Sequence, residues 1–391
     1  MYSPFKPTAG KRPPVLVGRD DDLDAFRMAI EEGPGAPERL LFVTGARGIG
    51  KTVMLNALSD MVKERDWFVV NETASVGFTE RIIGSLADRD SRTASYTLPS
   101  LSLESPLGSL GATLNLGKMQ VSHDLAALDL RHAVGERLDR MDEDRQGVLI
   151  TLDELGAESP MDEVRAFATA VQHLIREDRN VAVVFAGIPG MVNDVVNDRI
   201  LTFLRRAERF HLQNVDLPDV WEAFEHTISD NGKSADYEVL NLLTEATHGY
   251  PFMIQLVGHQ AWRASDRNGH PDAITLQDAQ EGIEKARDRI GELVNGPAVD
   301  GLPPMAREYL LAMAIDDGPS NTGEIARRMH RDAKYASVYR SRLINEDFIK
   351  PTDRGFVDFR MPFMREYLRG HAAFYQLEES LADELRGSTG D

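Results

Sequence analysis

Short apolar runs alternate with longer amphipathic stretches through the first half of the chain, and only afterwards does the pattern become uniformly helical. Five runs, "RLLFVTG", "WFVVNETA", "GVLITLDE", "VAVVFAGIP" and "RFHLQNV", are bounded by turns and rich in Val, Ile, Leu and Phe, as strands buried on both faces tend to be. Between them the spacing predicts helices over 52–64, 125–141, 161–176 and 193–209. This alternation predicts a parallel sheet with helices on both faces, an α/β architecture. Residues 93–120, "TASYTLPSLSLESPLGSLGATLNLGKMQ", break the rhythm with Ser, Gly and Leu in short alternations. They read as an inserted hairpin or loop.

After Asp216-Leu217-Pro218 the strand signals stop. "DVWEAFEHTISD", "YEVLNLLTEATHG", "FMIQLVGHQAWRAS" and "TLQDAQEGIEKARDRIGELV" carry helical spacing and predict an all-α second domain. "NGPAVDGLPP" reads as a linker by composition. From Met305 to about Leu381 three helices lead into "DFIKPTDRGFVDFRMP", which reads as two strands around a turn, and "FMREYLRGHAAFYQL" reads as a closing helix. The expected domains are 1–217, 218–298 and 299–391.

A length of 391 residues suffices for two or three cores. With 42% hydrophobic and 27% charged residues, the balance is that of a soluble globular protein. The absence of cysteine excludes disulfides, thiolate zinc sites and cysteine nucleophiles, and makes a reducing compartment the expected home. The N-terminus lacks the apolar centre of a signal peptide, and no run approaches membrane-spanning length. A cytoplasmic protein with no membrane partner is expected. The ten histidines show no metal-ligand spacing. The balance of 44 Lys and Arg against 63 Asp and Glu, a net charge of −19, argues against coating nucleic acid through bulk charge. Any such contact must be a local patch.

The strongest chemical signal is "GARGIGKT", Gly45, Ala46, Arg47, Gly48, Ile49, Gly50, Lys51 and Thr52, set between the first predicted strand and a helix. In G-x-x-x-x-G-K-[ST] the glycines let successive backbone N–H groups turn inward around a phosphate, and the helix behind adds its positive dipole end. Lys51 is expected to reach the β- and γ-phosphates of ATP, or the β-phosphate of ADP, and the Thr52 hydroxyl to hold Mg²⁺. A carboxylate at the end of a neighbouring strand must complete the metal side. "GVLITLDEL" runs apolar residues into Asp153 and Glu154, where an unpaired charge would be expensive. Asp153 is the expected metal-side carboxylate, and Glu154 the base toward an attacking water.

With these motifs in place, the chain resembles the AAA+ type P-loop ATPases, in the branch that includes origin-recognition initiators, archaeal-type ATPases and the STAND signalling NTPases. "PVLVGRDDDLDAF" resembles the box in which family members seat adenine, with Val17, Gly18 and Arg19 at the matching positions, and it also has the form of a capped helix start. Where the family usually ends its fourth strand in a polar residue that senses the γ-phosphate, "VVFAGIPG" has Gly187. That departure implies slow hydrolysis. "THGYPFMIQL" resembles the G-x-P box of STAND proteins, in which the proline, here Pro251, lies against the nucleotide; a helix-start proline is the equal alternative. The family carries a trans-acting arginine at the core rim, and "FLRRAERFHL" places Arg205, Arg206 and Arg209 at the predicted helix end, with Arg206 the candidate. Arginines in a last helical turn also simply favour the dipole, so both readings stand.

The last domain resembles a winged helix-turn-helix. In it Ile325, Ala326 and Met329 are expected to pack the second helix, Val338, Leu343 and Ile344 the third, with "IKPTDRGFVDF" as the wing. Residues 322–370 hold eleven Lys and Arg against seven Asp and Glu, a net of +4 in a chain of −19. In a duplex-binding module the third helix would offer Lys334, Tyr335, Ser337, Tyr339 and Arg340, with Arg354 at the wing tip. Winged helices serve equally as protein-protein or autoinhibitory modules. Two functions follow: an ATP-driven switch that presents or withdraws a DNA-binding winged helix, or a STAND-like signalling module acting on a protein partner or on itself. A small-molecule kinase would leave the helical and winged domains without a role.

Overall fold

The computed structural model describes residues 2–8, 16–87, 93–94, 118–141, 146–156, 159–199 and 201–375. Its first part is a sheet of strands β1 (Leu40–Thr44), β2 (Phe68–Thr73), β3 (Thr93–Ala94), β4 (Val148–Leu155), β5 (Val181–Gly187) and β6 (Glu208–His211). All are parallel, in the order β3-β2-β4-β5-β1-β6. Five are the predicted strands. Of the expected insert at 93–120, Thr93–Ala94 forms the edge strand, residues 95–117 lie outside the described residues, and a helix begins at Lys118.

The strands are buried on both faces, and their alternation divides two cores. Leu41, Val43, Val69, Leu149, Ala182, Val184 and Ala186 face one side. Phe42, Phe68, Val70, Ile150, Val183 and Phe185 face the other. Because successive side chains in a strand point to opposite faces, a continuous apolar run serves two helical layers at once. Those layers are α1 (Asp20–Glu32), α2 (Lys51–Lys63), α3 (Phe78–Ala87), α4 (Lys118–Asp139), α5 (Met161–Arg176) and α6 (Pro189–Val196). The helix expected over 193–209 is corrected. Pro189, whose fixed φ suits a first turn, starts α6 early, and the helix stops at Val196; Thr202–Arg206 then make a separate 3₁₀ turn with Leu204 buried.

The second part comprises α7 (Leu217–Asp230), α8 (Tyr237–Thr247), α9 (Pro251–Arg267) and α10 (Leu276–Ile290). A two-stranded parallel pair, β7 (Ser234–Ala235) with β8 (Ala273–Ile274), qualifies the all-α expectation. Its apolar residues, among them Phe224, Leu243, Met253, Trp262 and Ile283, continue the cluster that covers one face of the sheet. The two parts therefore share one core.

The linker expected at "NGPAVDGLPP" is also corrected. Gly291–Asn295 form a wide π-type turn that runs directly into α11 (Gly296–Asp300), with Asn295, Gly296, Ala298 and Val299 buried. Gly296 is there because Tyr367 packs on it: a Cβ would stand 2.8 Å from the tyrosine hydroxyl. Pro297 and Pro304 occupy first turns of helices, where no N–H is missed.

The third part orders α12 (Pro304–Ala314), β9 (Ser320–Asn321), α13 (Thr322–Arg328), α14 (Ala333–Asn345), β10 (Ile349–Pro351), β11 (Phe356–Phe359) and a helix over residues 364–375. The strands form an antiparallel sheet in the order β10-β11-β9. Asn321 caps α13 by accepting from the N–H groups of Gly323 and Glu324, and Asp332 caps α14 by accepting from Tyr335. This part has its own core of Leu310, Met313, Ile325, Ala326, Met329, Leu343, Val357 and Leu368. Val338 was expected in it and is instead exposed. The buried face of α14 runs through Ala336 and Leu343, seven residues apart, with half-buried Tyr339 between them, and Val338 lies about 200° round from Ala336.

Candidate functional site

β1 and β4 do not touch; β5 lies between them, and its last residue, Gly187, is in register with both Thr44 and Leu155. The chain ends on this side of the sheet therefore bring three features together: the loop after β1, the acidic end of β4, and Gly187.

The loop Gly45–Gly50 turns on glycines with positive φ, +155° at Gly45, +72° at Gly48 and +98° at Gly50. Gly50 caps α2 in the left-handed region that side chains avoid. A Cβ at Gly45 would stand 2.7 Å from the Leu212 carbonyl, so that position has no room either. Lys51 opens α2 and folds back over the loop, donating to the carbonyls of Gly45 (2.9 Å) and Ala46 (2.7 Å). Burial pushes its ammonium down to about 8, against the pull of the Asp153 and Asp347 carboxylates. Next to it the Thr52 hydroxyl donates to Asp153 Oδ2 at 2.6 Å, while Asp153 Oδ1 accepts from the N–H of Glu154 at 2.8 Å. Thus Lys51, Thr52 and Asp153 share one site, as the spacing of two distant motifs demands.

Glu154 is placed by backbone rather than by partners. The pairing of β4 with β5 shifts between Leu152 and Leu155, and within this bulge Glu154 adopts φ +57° and is exposed. A bulge re-aims the side chain it displaces. Gly187 explains the missing polar sensor sterically. A Cβ there would lie 2.4 Å from the Leu155 carbonyl, so the bulge that displays Glu154 removes the space for a side chain on β5.

The second part closes over the loop through "HGYPF". The Tyr250 hydroxyl donates to the Arg47 carbonyl and occupies the place a Gly48 side chain would take, 2.4 Å from the Cβ position, with the ring 3.0 Å away. Burial raises the phenol above its ordinary range, so it is a hydroxyl donor at neutral pH. Pro251 occupies the first turn of α9, and the contact with the loop is made by its neighbour. Sequence reasoning named the box and its proline; the tyrosine's hold on the loop went unforeseen, because a buried tyrosine leaves no periodic trace.

Residues 212–215, between β6 and α7, join all of these. The Leu212 carbonyl meets Gly45, the Gln213 carbonyl accepts from Arg19, and the Val215 side chain lies 3.1 Å from the Cβ position of Gly18. Val17 packs half-buried against the shared core, and burial lowers the Arg19 guanidinium. At the other end Val215 donates to the Gly249 carbonyl at 2.7 Å. Gly249 has φ +69°, and a Cβ would sit 2.1 Å from the Val215 carbonyl. Gly249→Ala is therefore expected to destabilise the chain by roughly 3 kcal/mol, read from urea unfolding of the whole protein, because clash and left-handed strain act together.

Arg206, with Arg205, ends the 3₁₀ turn and is exposed, while Arg209 lies in the edge strand β6 opposite Phe42. The expected helix end is thus a turn and a strand. On the third part, Lys334 and Arg354 are exposed, Tyr339 and Arg340 are half-buried, and the Tyr335 and Tyr339 rings meet at 5.3 Å. Six of the eleven cations over 322–370 are paired within the chain: Arg327, Arg328, Arg342, Arg360, Arg365 and Arg369. The cations outside ion pairs are Arg331 just before α14, Lys334 and Arg340 within it, and Lys350 and Arg354 along the β10-β11 hairpin. Among the described residues no group of acidic and histidine side chains forms a metal cluster, and no helix is long and apolar enough to cross a membrane.

Residues 15–184 match the family model of the AAA ATPase domain. Residues 293–368 match a domain of unknown function, DUF8462. No curated protein matches the chain. Among solved structures it is similar to the Walker-type ATPase PABY2304 of Pyrococcus abyssi, at 15% identity and a TM-score of 0.62, covering 92% of this chain and 97% of that one. It is also similar to the ORC2 protein of Aeropyrum pernix, solved as ADPNP-ADP complexes, at 13% identity and a TM-score of 0.61, covering 96% and 98%. At such identities the likeness shows the fold, that of the P-loop AAA+ ATPases. The match to the AAA ATPase domain over residues 15–184 supports an ATP-binding ATPase.

Proposed function

We infer that the chain is a slow ATP-driven switch whose nucleotide state governs a C-terminal winged helix that binds duplex DNA. One observation carries the reading: the 2.6 Å contact of Thr52 with Asp153, which unites the loop after β1 with the acidic end of β4 beside Lys51. The donor set fits the groups implied. Positive-φ glycines aim backbone N–H groups at a phosphate, and a hydroxyl paired with a carboxylate suits a hard cation. Bound Mg²⁺ would screen the phosphate charge and orient the terminal phosphoryl group. Thr52 would hold it directly and Asp153 through water, Lys51 would leave its two carbonyls for the phosphates, and Glu154 would take the proton of the attacking water. Gly18 and Arg19 meet residues 212–215, which also touch Gly45, and this supports seating the base against Val17, Gly18 and Arg19. Arg206 is exposed on the rim, as a residue acting on a neighbouring copy must be.

The order α12-β9-α13-α14-β10-β11 supports the winged-helix reading of the third part, with α14 as the helix that enters the groove. The grouping of its unpaired cations supports DNA as partner: Lys334 and Arg340 lie on α14 and Arg354 on the hairpin turn, with Tyr339 beside them. A cytoplasmic setting agrees with the lack of cysteine. The test is duplex-DNA binding by the full chain with ATP, ADP or no nucleotide, across a salt series. Nucleotide-dependent, salt-sensitive binding is expected, and Arg340→Glu should weaken it roughly ten-fold or more and lower the salt slope by about one. No binding in any state would transfer the reading to a STAND-like module acting on a protein. One observation favours that second reading: Tyr250 of "HGYPF" sits on the loop itself.

A further inference from the structure

The third part does not stand apart from the nucleotide site. Where α14 ends, Asn345 packs on Gly190 of α6 so tightly that a Cβ there would lie 2.6 Å from the Asn345 carbonyl. Two residues on, Asp347 enters the left-handed region at φ +63° and is 95% buried, with a relative exposure of 5%. Arg360 stands 2.9 Å from its Oδ1. Its other oxygen, Oδ2, is buried with no hydrogen-bond partner. Besides Arg360, the side chains that act electrostatically on this carboxylate are His211 at the end of β6 and Lys51 of the phosphate loop. Burial raises Asp347, and these three side chains oppose that rise. Phe363 seats the same part against the second one, its ring 5.3 Å from His248 and 4.9 Å from the Arg287 guanidinium. The Pro362 carbonyl accepts from Asn295 at 3.2 Å.

We propose that Asp347 is an internal competitor for the phosphate site: the docked C-terminal part keeps an anionic carboxylate within electrostatic reach of Lys51, and a nucleotide must displace that part to bind. This rests on the reading of Gly45–Thr52 as a phosphate loop. The physical argument is charge. A buried carboxylate with an unsatisfied oxygen is expensive unless cations offset it, and one whose charge acts on this carboxylate, Lys51, is the cation a phosphate also needs. Phosphate and carboxylate repel at close range, so the two occupants exclude one another. Arg360 travels with Asp347 and keeps it paired when the part undocks, which lowers the barrier to leaving. ATP binding and release of the winged helix are then one event, and the coupling is reciprocal.

The test measures ATP and ADP affinity of the full chain by calorimetry for wild type, Asp347→Asn, Gly190→Leu and Lys51→Ala. Asparagine tolerates the left-handed backbone as well as aspartate does, so the first substitution removes charge and little else. Gly190→Leu breaks the docking contact without touching Asp347. Both variants should bind nucleotide roughly ten-fold more tightly than wild type, while Lys51→Ala binds weakly in every background. Labels at Met28→Cys and Thr352→Cys, unambiguous in a chain with no native cysteine, should move apart when ATP is added. Unchanged affinity in Asp347→Asn and Gly190→Leu would reduce the contact to packing and overturn the proposal. Weaker binding in Asp347→Asn would overturn it in the other direction, making the carboxylate a partner of the bound nucleotide. If folded wild type, Asp347→Asn and Gly190→Leu all ignored nucleotide, the phosphate-loop reading itself would have failed.

Discussion

Glu154→Gln will hold ATP and not turn it over. The substitution keeps the length and the left-handed backbone of the residue, so the bulge at the end of β4 and the Glu154 N–H that binds Asp153 at 2.8 Å are untouched. What it removes is the ability to accept a proton. General-base catalysis of this kind contributes about 10²–10⁴-fold, so phosphate release should fall by that factor while ATP affinity stays near wild type. The baseline is already low in the proposed switch, because Gly187 offers no side chain to the terminal phosphate and no room for one. Phosphate release in single-turnover conditions, paired with nucleotide binding on the same samples, separates the two quantities. Wild-type turnover in this variant would place the base elsewhere.

Lys51→Ala should lose about two orders of magnitude in nucleotide affinity, the scale of two charge-assisted hydrogen bonds to phosphate less their solvation. The pH dependence distinguishes this residue from a purely structural one. Burial lowers the free lysine to about 8. An anionic phosphate favours the charged form and raises that value in the complex, so affinity for ADP without metal is fully present below pH 8. It declines as pH rises past 8 toward the value in the complex, by at most ten-fold per unit. The alanine variant should be flat over the same range. A wild-type affinity that does not fall between pH 7.5 and 9 would mean that Lys51 stays charged without the phosphate.

Much of this was legible in the chain because it is written in local pattern. The five core strands came from apolar runs, α2 and α5 from helical spacing, and the Lys51, Thr52 and Asp153 meeting from two motifs whose chemistry requires it. Failures came where tertiary contact decides. Gly and Pro in "NGPAVDGLPP" signal a linker in isolation, yet Gly296 is small to admit Tyr367 and the prolines start helices. Val338 looked like core until the face of α14 was fixed by Ala336 and Leu343. Asp347 gave no signal at all, since "INEDFI" reads as a solvated turn, and its burial arises from the docking of one part on another. Tyr250 was hidden for the same reason: its partner, the Arg47 carbonyl, lies about two hundred residues away and has no sequence identity to detect.

The hydroxyl of Tyr250 holds a main-chain carbonyl, and Gly187 leaves the middle strand mute. The helical part consequently listens to the shape of the loop and not to the cargo on it. Whatever straightens or tightens residues 46–48 is heard at α9 in the same voice, so in the proposed switch the terminal phosphate is left to the acidic bulge on the opposite wall. In the switch proposed here one wall reports that the seat is taken, and the other reports by whom.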